Sequence, residues 1–202
     1  DIPPCVDPRE DAALGERLTE ALCNIALAEN NTDPEHNFLI GLAYLDGIDV
    51  EVNRERGLEL ITKAADAELP EAMEKLYNMN LNGIGITLNY NEATIWAENL
   101  ANHFIQQYGE EHPDSLTWIN NSAACYYLSG DYHKALDLGR KNFSLKLKSL
   151  GKKHPDTLTA LNNLALQFSS VGKYSEAIDI GRQAYMLSSE VLGEDDSNTL
   201  KS

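Results

Sequence analysis

Residues 109–123 read GEEHPDSLTWINNSA, and forty-two positions later residues 151–165 read GKKHPDTLTALNNLA. Gly109, His112, Pro113, Asp114, Leu116, Thr117, Asn120, Asn121 and Ala123 return as Gly151, His154, Pro155, Asp156, Leu158, Thr159, Asn162, Asn163 and Ala165. Further on, Gly130, Tyr132, Ala135, Gly139 and Arg140 return as Gly172, Tyr174, Ala177, Gly181 and Arg182. Seventeen of the 42 positions agree, so residues 109–192 are two copies of one unit. A third copy opens at Gly193, with Thr199 and Leu200 in register, and residues 193–202 read as its truncated start. Self-similarity at such a period is the mark of stacked supersecondary units.

Each copy reads as helix, turn, helix. Leu116, Ile119, Ala123 and Tyr126 recur at helical spacing, as do Leu136, Phe143, Leu147 and Leu150 in the partner helix. Pro113 and Pro155 suit a first helical turn, and His112 and His154 in the HPD triplets mark the helix start. Gly130 and Gly172 supply the left-handed residue that ends the first helix. A second period, of 36, governs the earlier half: Pro34, Gly47 and Asn53 return as Pro70, Gly83 and Asn89. Residues 33–108 therefore form two units of another kind. Residues 1–32 read as an N-terminal helix, the second helix of an incomplete earlier unit. No run alternates with period two for long enough to be a strand, so the expected class is all-α.

The chain has 202 residues with 32 Asp+Glu against 16 Lys+Arg, a formal net charge of −16. That balance argues against a nucleic-acid binder, since phosphate backbones are held by clustered Lys and Arg. No stretch of about 18 apolar residues offers a membrane span, and the start DIPPCVDPRED lacks the pattern of a secretory signal. The absence of an initial Met points to a processed or partial sequence. Cys5, Cys23 and Cys125 lie too far apart for a zinc site and suit core positions in a reducing, cytoplasmic setting. His36, His103 and His133 have no partners at metal-ligand spacing, and Gly83-Ile84-Gly85 lacks the lysine of a phosphate loop. Neither a metal nor a cofactor is expected, and no constellation supports catalysis.

The 36-residue units resemble Sel1-like repeats, in Ile40-Gly41-Leu42-Ala43-Tyr44, Gly47 and Lys63-Ala64; the second copy departs with Tyr77 for the glycine and Asn80 for the tyrosine. The 42-residue units, with HPDTLTALNNLA and GKYSEA, resemble the tetratricopeptide repeats of kinesin light chains. Those resemblances imply an α-solenoid, a right-handed superhelix of antiparallel helix pairs, whose concave groove binds peptides or protein segments. The implied function is a non-enzymatic protein–protein interaction scaffold or adaptor. The alternative is a sensor or regulatory arm of a larger protein whose effector domain lies outside this chain. A dimeric structural module is a third option, and the oligomeric state is open.

In such arrays the first helix of each pair lines the groove. The register points to Thr117, Asn120, Asn121, Ala124 and Tyr127, then Thr159, Asn162, Asn163, Leu166 and Ser169. A side-chain amide offers one acceptor and two donors, so repeated Asn can bracket an extended backbone without demanding a side-chain type. No basic residue occurs between Lys75 and Lys134, so the partner is expected to be neutral or basic rather than acidic. Residues 1–111 hold 22 acids and 6 bases, whereas residues 112–202 hold 10 of each. The row from Lys134 to Lys153 is either a steering surface or a solvated helix face neutralised by its neighbours.

Overall fold

The computed structural model describes residues 32–48 and 50–192. Eight helices occur among them: α1 Pro34–Asp46, α2 Arg54–Asp66, α3 Pro70–Asn82, α4 Tyr90–Tyr108, α5 Pro113–Ser129, α6 Tyr132–Leu150, α7 Pro155–Ser170 and α8 Tyr174–Leu192. No strand occurs among the described residues. The class is all-α, as the periodicity predicts. The N-terminal helix expected in residues 1–32 and the third copy expected at 193–202 lie outside the described residues.

Helix starts follow from local chemistry. Asn53 and Asn89 cap α2 and α4, their side chains accepting from Arg56 N and Glu92 N at 3.0 and 3.2 Å. His112 and His154 do the same for α5 and α7: each Nδ1 accepts from the backbone N–H of the Asp two residues on, at 3.3 and 3.2 Å. Pro113 and Pro155 occupy the next position, where a missing N–H costs nothing. Gly130, at φ 89°, closes α5 in the left-handed region. The HPD triplet is thus a helix-start device.

The chain divides into two compact units, one ending at Leu76 and the other beginning at Tyr77, so the division falls inside α3. In the first, α1 packs on α2 around Ile40, Ala43, Leu60 and Ile61, all at most 4% exposed. Gly41 and Gly57 face each other across this pair. A Cβ on Gly57 would lie 2.7 Å from the Gly41 carbonyl oxygen, so only hydrogen at both positions permits the spacing. In the second unit helices pack in chain order, α4 on α5, α5 on α6, α6 on α7 and α7 on α8. That order defines a solenoid: each element buries its apolar stripe on its sequence neighbours.

The core of the second unit runs along this stack through Ala97, Leu100, Leu116, Ile119, Leu136, Leu158, Leu161 and Phe168. Trp118 is buried and meets the edge of Tyr77 at 5.0 Å between centroids. Cys125 is a free, fully buried thiol; burial pushes it up to about 11, against the pull of its hydrogen bond with Tyr77. Leu147 and Leu150, expected on the apolar face of α6, are instead exposed at its C-terminal end.

Candidate functional site

Helices α5 and α7 occupy equivalent places in successive copies, and a cleft of about 200 Å³ opens between them. Its lining is Asn120, Ala124, Tyr127 and Leu128 from α5 with Asn163, Leu166 and Gln167 from α7. Five of the ten residues pointed to by the register are in that set. Ser169 borders a second pocket, between α7 and α8. Thr117 and Thr159 are exposed, each hydroxyl donating one turn back to the carbonyl of Pro113 or Pro155 at 2.9 and 3.0 Å. Asn121 and Asn162 are half-buried, and Asn162 Oδ1 has no hydrogen-bond partner among the described residues.

The amides bond to one another across non-equivalent positions. Asn120 Oδ1 accepts from Asn142 Nδ2 of α6 at 3.2 Å and from Asn163 Nδ2 of α7 at 3.4 Å. One oxygen thereby ties three helices together and holds the Asn163 amide at the cleft edge. Both N–H groups of Asn120 stay uncommitted among the described residues.

Sequence reasoning missed Leu128 and Gln167. Gln167 is buried, and its side chain lies over Gly139 so closely that a Cβ there would fall 1.8 Å from Oε1. Gln167 Oε1 accepts no hydrogen bond among the described residues and is buried against Gly139 rather than open to the cleft. The signal available beforehand was the glycine repeated at 139 and 181 inside an otherwise regular helix. Leu166, half exposed, and the ring of Tyr127, edge-on to Tyr132 at 5.4 Å, supply the apolar part.

Lysines of α6 and of the loop after it find acidic partners. Lys141 Nζ pairs with Glu110 at 2.8 Å, Lys148 pairs with Glu111, and Lys153 pairs with Glu190. Glu111 raises the Lys148 ammonium, and Lys153 lowers the Glu190 carboxyl. These exposed pairs each contribute little to stability, but they neutralise the row. Among the described residues no group of three or more His, Cys, Asp or Glu could hold a metal ion. No helix there is long and apolar enough to cross a membrane.

Residues 120–190, which hold the cleft, match the family model of the tetratricopeptide repeat. The likeness to the tetratricopeptide repeat belongs to this segment. Repeats of this kind generally bind protein partners. Two solved structures from Podosopora anserina, described as kinesin light chain nearly identical TPR-like repeats, superpose with a TM-score of 0.61 at 18% identity. The first covers 91% of this chain and 90% of its own, the second 89% and 87%. At that identity they speak for the fold, a solenoid of tetratricopeptide-type helix pairs, and for nothing further. A Sel1 repeat protein from Oxalobacter formigenes aligns over 96% of both chains at 16% identity, with a TM-score of 0.38 too low to bear on the fold. A search of curated proteins finds no match.

Proposed function

We propose that the chain is a non-enzymatic interaction scaffold, working in a reducing compartment, that holds a neutral or basic polypeptide segment across α5 and α7. The observation that carries this reading is the cleft itself: an apolar wall of Tyr127, Leu128 and Leu166 beside the amides of Asn120, Asn163 and Gln167. A side chain of the bound segment fills the apolar part, and a backbone carbonyl accepts from the Asn120 amide. Thr117, Asn121, Thr159, Asn162 and Ser169 extend the same face along the two helices. α5 and α7 each carry one acid, Asp114 or Asp156, and no base, which disfavours an acidic partner. In this reading two Sel1-like units, residues 33–108, precede two tetratricopeptide units, residues 109–192.

The test is binding to an immobilised peptide array with matched neutral, basic and acidic members. Neutral or basic peptides should be retained, and Leu166→Asp or Asn163→Ala should weaken them about tenfold, the equivalent of ~1.4 kcal/mol. Both positions are exposed, so both variants should fold. Preferential capture of acidic peptides, or binding indifferent to both substitutions, would refute the reading.

A further inference from the structure

The stack carries a second opening, on the other side of α5. A pocket of about 220 Å³ lies between α4 and α6, with the buried Ile119 and Ser122 of α5 at its base. The α5–α7 cleft is lined instead by Asn120, Ala124, Tyr127 and Leu128 of that helix. At about 100° per residue the two sets point to roughly opposite sides of α5. The two sites share a helix but no residue.

Forty-two positions on, the same place is filled. The step carries α4 onto α6, each starting at a Tyr and running for 19 residues, and α5 onto α7. It takes Ala101, Ser122 and Leu138 to Phe143, Leu164 and Ile180. There Phe143 and Ile180 pack on the buried cluster of Leu136, Leu164 and Phe168. A pair of contacts marks the two places as equivalent. Tyr126 donates to Glu98 at 2.7 Å, and Phe168 lies under Arg140 at 4.8 Å, each pair 28 positions apart. In the earlier copy a methyl and a hydroxymethyl group stand where the later one has a benzyl and an isobutyl group. The Ser122 hydroxyl turns back to the Trp118 carbonyl at 2.9 Å and fills nothing. The opening is the room of side chains that this copy lacks.

One wall of the pocket carries a charge without a counter-ion. Glu98 is half-buried, and its one hydrogen bond among the described residues comes from the neutral Tyr126 hydroxyl. Lys141, also at the pocket, is held by Glu110 at 2.8 Å. Lys134, over the Tyr126 ring, pairs with Asp131 at 3.6 Å. Residues 77–111 hold four acids and no Lys or Arg. A half-buried carboxylate beside apolar surface is complemented by a positive charge on an apolar stem. Arginine has that form, with a planar fork less strongly hydrated than an ammonium group.

We propose that this pocket receives an arginine side chain of a partner polypeptide. Its stem occupies the space that Phe143 and Leu164 fill in the next copy, against Ile105 and Leu138. Its guanidinium donates to Glu98 Oε2, the oxygen that Tyr126 leaves free, with the Asn102 amide at the rim. The site stands whether or not the α5–α7 cleft binds anything.

The test titrates acetyl-Gly-Arg-Gly-amide into the full chain and follows the methyl NMR signals of Ala101, Ile105, Ile119 and Leu138. Tripeptides with norleucine or Glu at the centre serve as comparisons. The arginine peptide should shift those methyls and bind about tenfold more tightly than the norleucine one, with the Glu peptide weakest. Glu98→Gln, which keeps an acceptor for Tyr126, should remove the arginine advantage and leave the norleucine peptide unchanged. Ala101→Phe with Ser122→Leu writes the later copy's filling into the pocket, and should abolish binding of both peptides without lowering Tm. Should that variant unfold, the Glu98→Gln titration still decides. Leu166→Asp, in the other cleft, should change nothing here. No shift at these methyls, an arginine advantage that survives Glu98→Gln, or binding that survives the filled pocket would overturn the proposal. So would a concentration-dependent dimer lost in the filled variant, which would assign the pocket to a second copy.

Discussion

The α1–α2 pair and the α4–α8 stack keep helices together by different means. In α1–α2 backbone lies against backbone: a Cβ on Gly57 would meet the Gly41 carbonyl, which cannot swing aside as a side chain can. In the later stack, side chains bridge one helix to another: Tyr126 to Glu98, Phe168 under Arg140, Gln167 on Gly139 and Asn163 to Asn120. A backbone contact is specified by the absence of atoms and tolerates no addition. A side-chain contact can be rearranged. Substitutions of one kind at the two places should therefore differ in size, and the difference is measurable.

The largest effect is expected from Gly57→Ala. The new methyl would meet the Gly41 oxygen at 2.7 Å and the Leu45 side chain at 3.0 Å, so the two helices must separate. Overpacking of this kind costs about 3 kcal/mol, offset by about 1 kcal/mol of helix propensity. The net loss of about 2 kcal/mol should appear as a lower denaturant midpoint and faster amide exchange in residues 34–66. A neutral outcome would mean that the glycine contact is not close-packed in solution.

Much of this was legible in the sequence because it is local. Caps, turns and helix starts depend on a few adjacent residues, and Asn53, Asn89, His112, His154 and Gly130 all act at the places where their repeats put them. The 36-residue ruler even returns a hydrogen bond: the N–H of Asn53 donates to Tyr44 and that of Asn89 to Asn80, both at 2.9 Å. What the sequence hid is long-range. Gln167 became a cleft residue only because a glycine on another helix leaves room for it. The helix α4 obeys both rulers. Its cap Asn89 repeats Asn53 at 36, whereas Tyr90 and its 19-residue length return at 42 in α6 and again in α8. Residue identity between α4 and α6 is too sparse to show this before the helix ends are known.

An intermediate effect is expected where a bridge between helices can be titrated. Burial, then the hydrogen bond to Glu98 and its charge, push the Tyr126 phenol up to about 12. Because the folded value lies above the ordinary phenol value of about 10, the stabilisation is complete below about pH 10 and lost as the pH rises through about 12. Tyr126→Phe should cost about 1 kcal/mol at neutral pH. Its deficit relative to the parent should shrink between about pH 10 and about pH 12, read as converging thermal midpoints. A deficit constant across that range would show that the phenol and Glu98 do not meet in solution.

The smallest change in stability is expected from Gly139→Ala, although its built Cβ has the shortest contact of all, 1.8 Å from Gln167 Oε1. That oxygen ends a flexible side chain and accepts no hydrogen bond among the described residues, so moving it breaks nothing polar at the acceptor. Repacking Gln167 should cost about 1 kcal/mol, and replacing a mid-helix glycine should return nearly as much. The denaturant midpoint should stay within error while peptide affinity for the cleft shifts several-fold, because the displaced amide belongs to its wall. If Gly139→Ala instead destabilises as much as Gly57→Ala, the bridges of the stack are as rigid as the backbone contact. The distance to a neighbouring atom would then predict cost better than that atom's freedom to move.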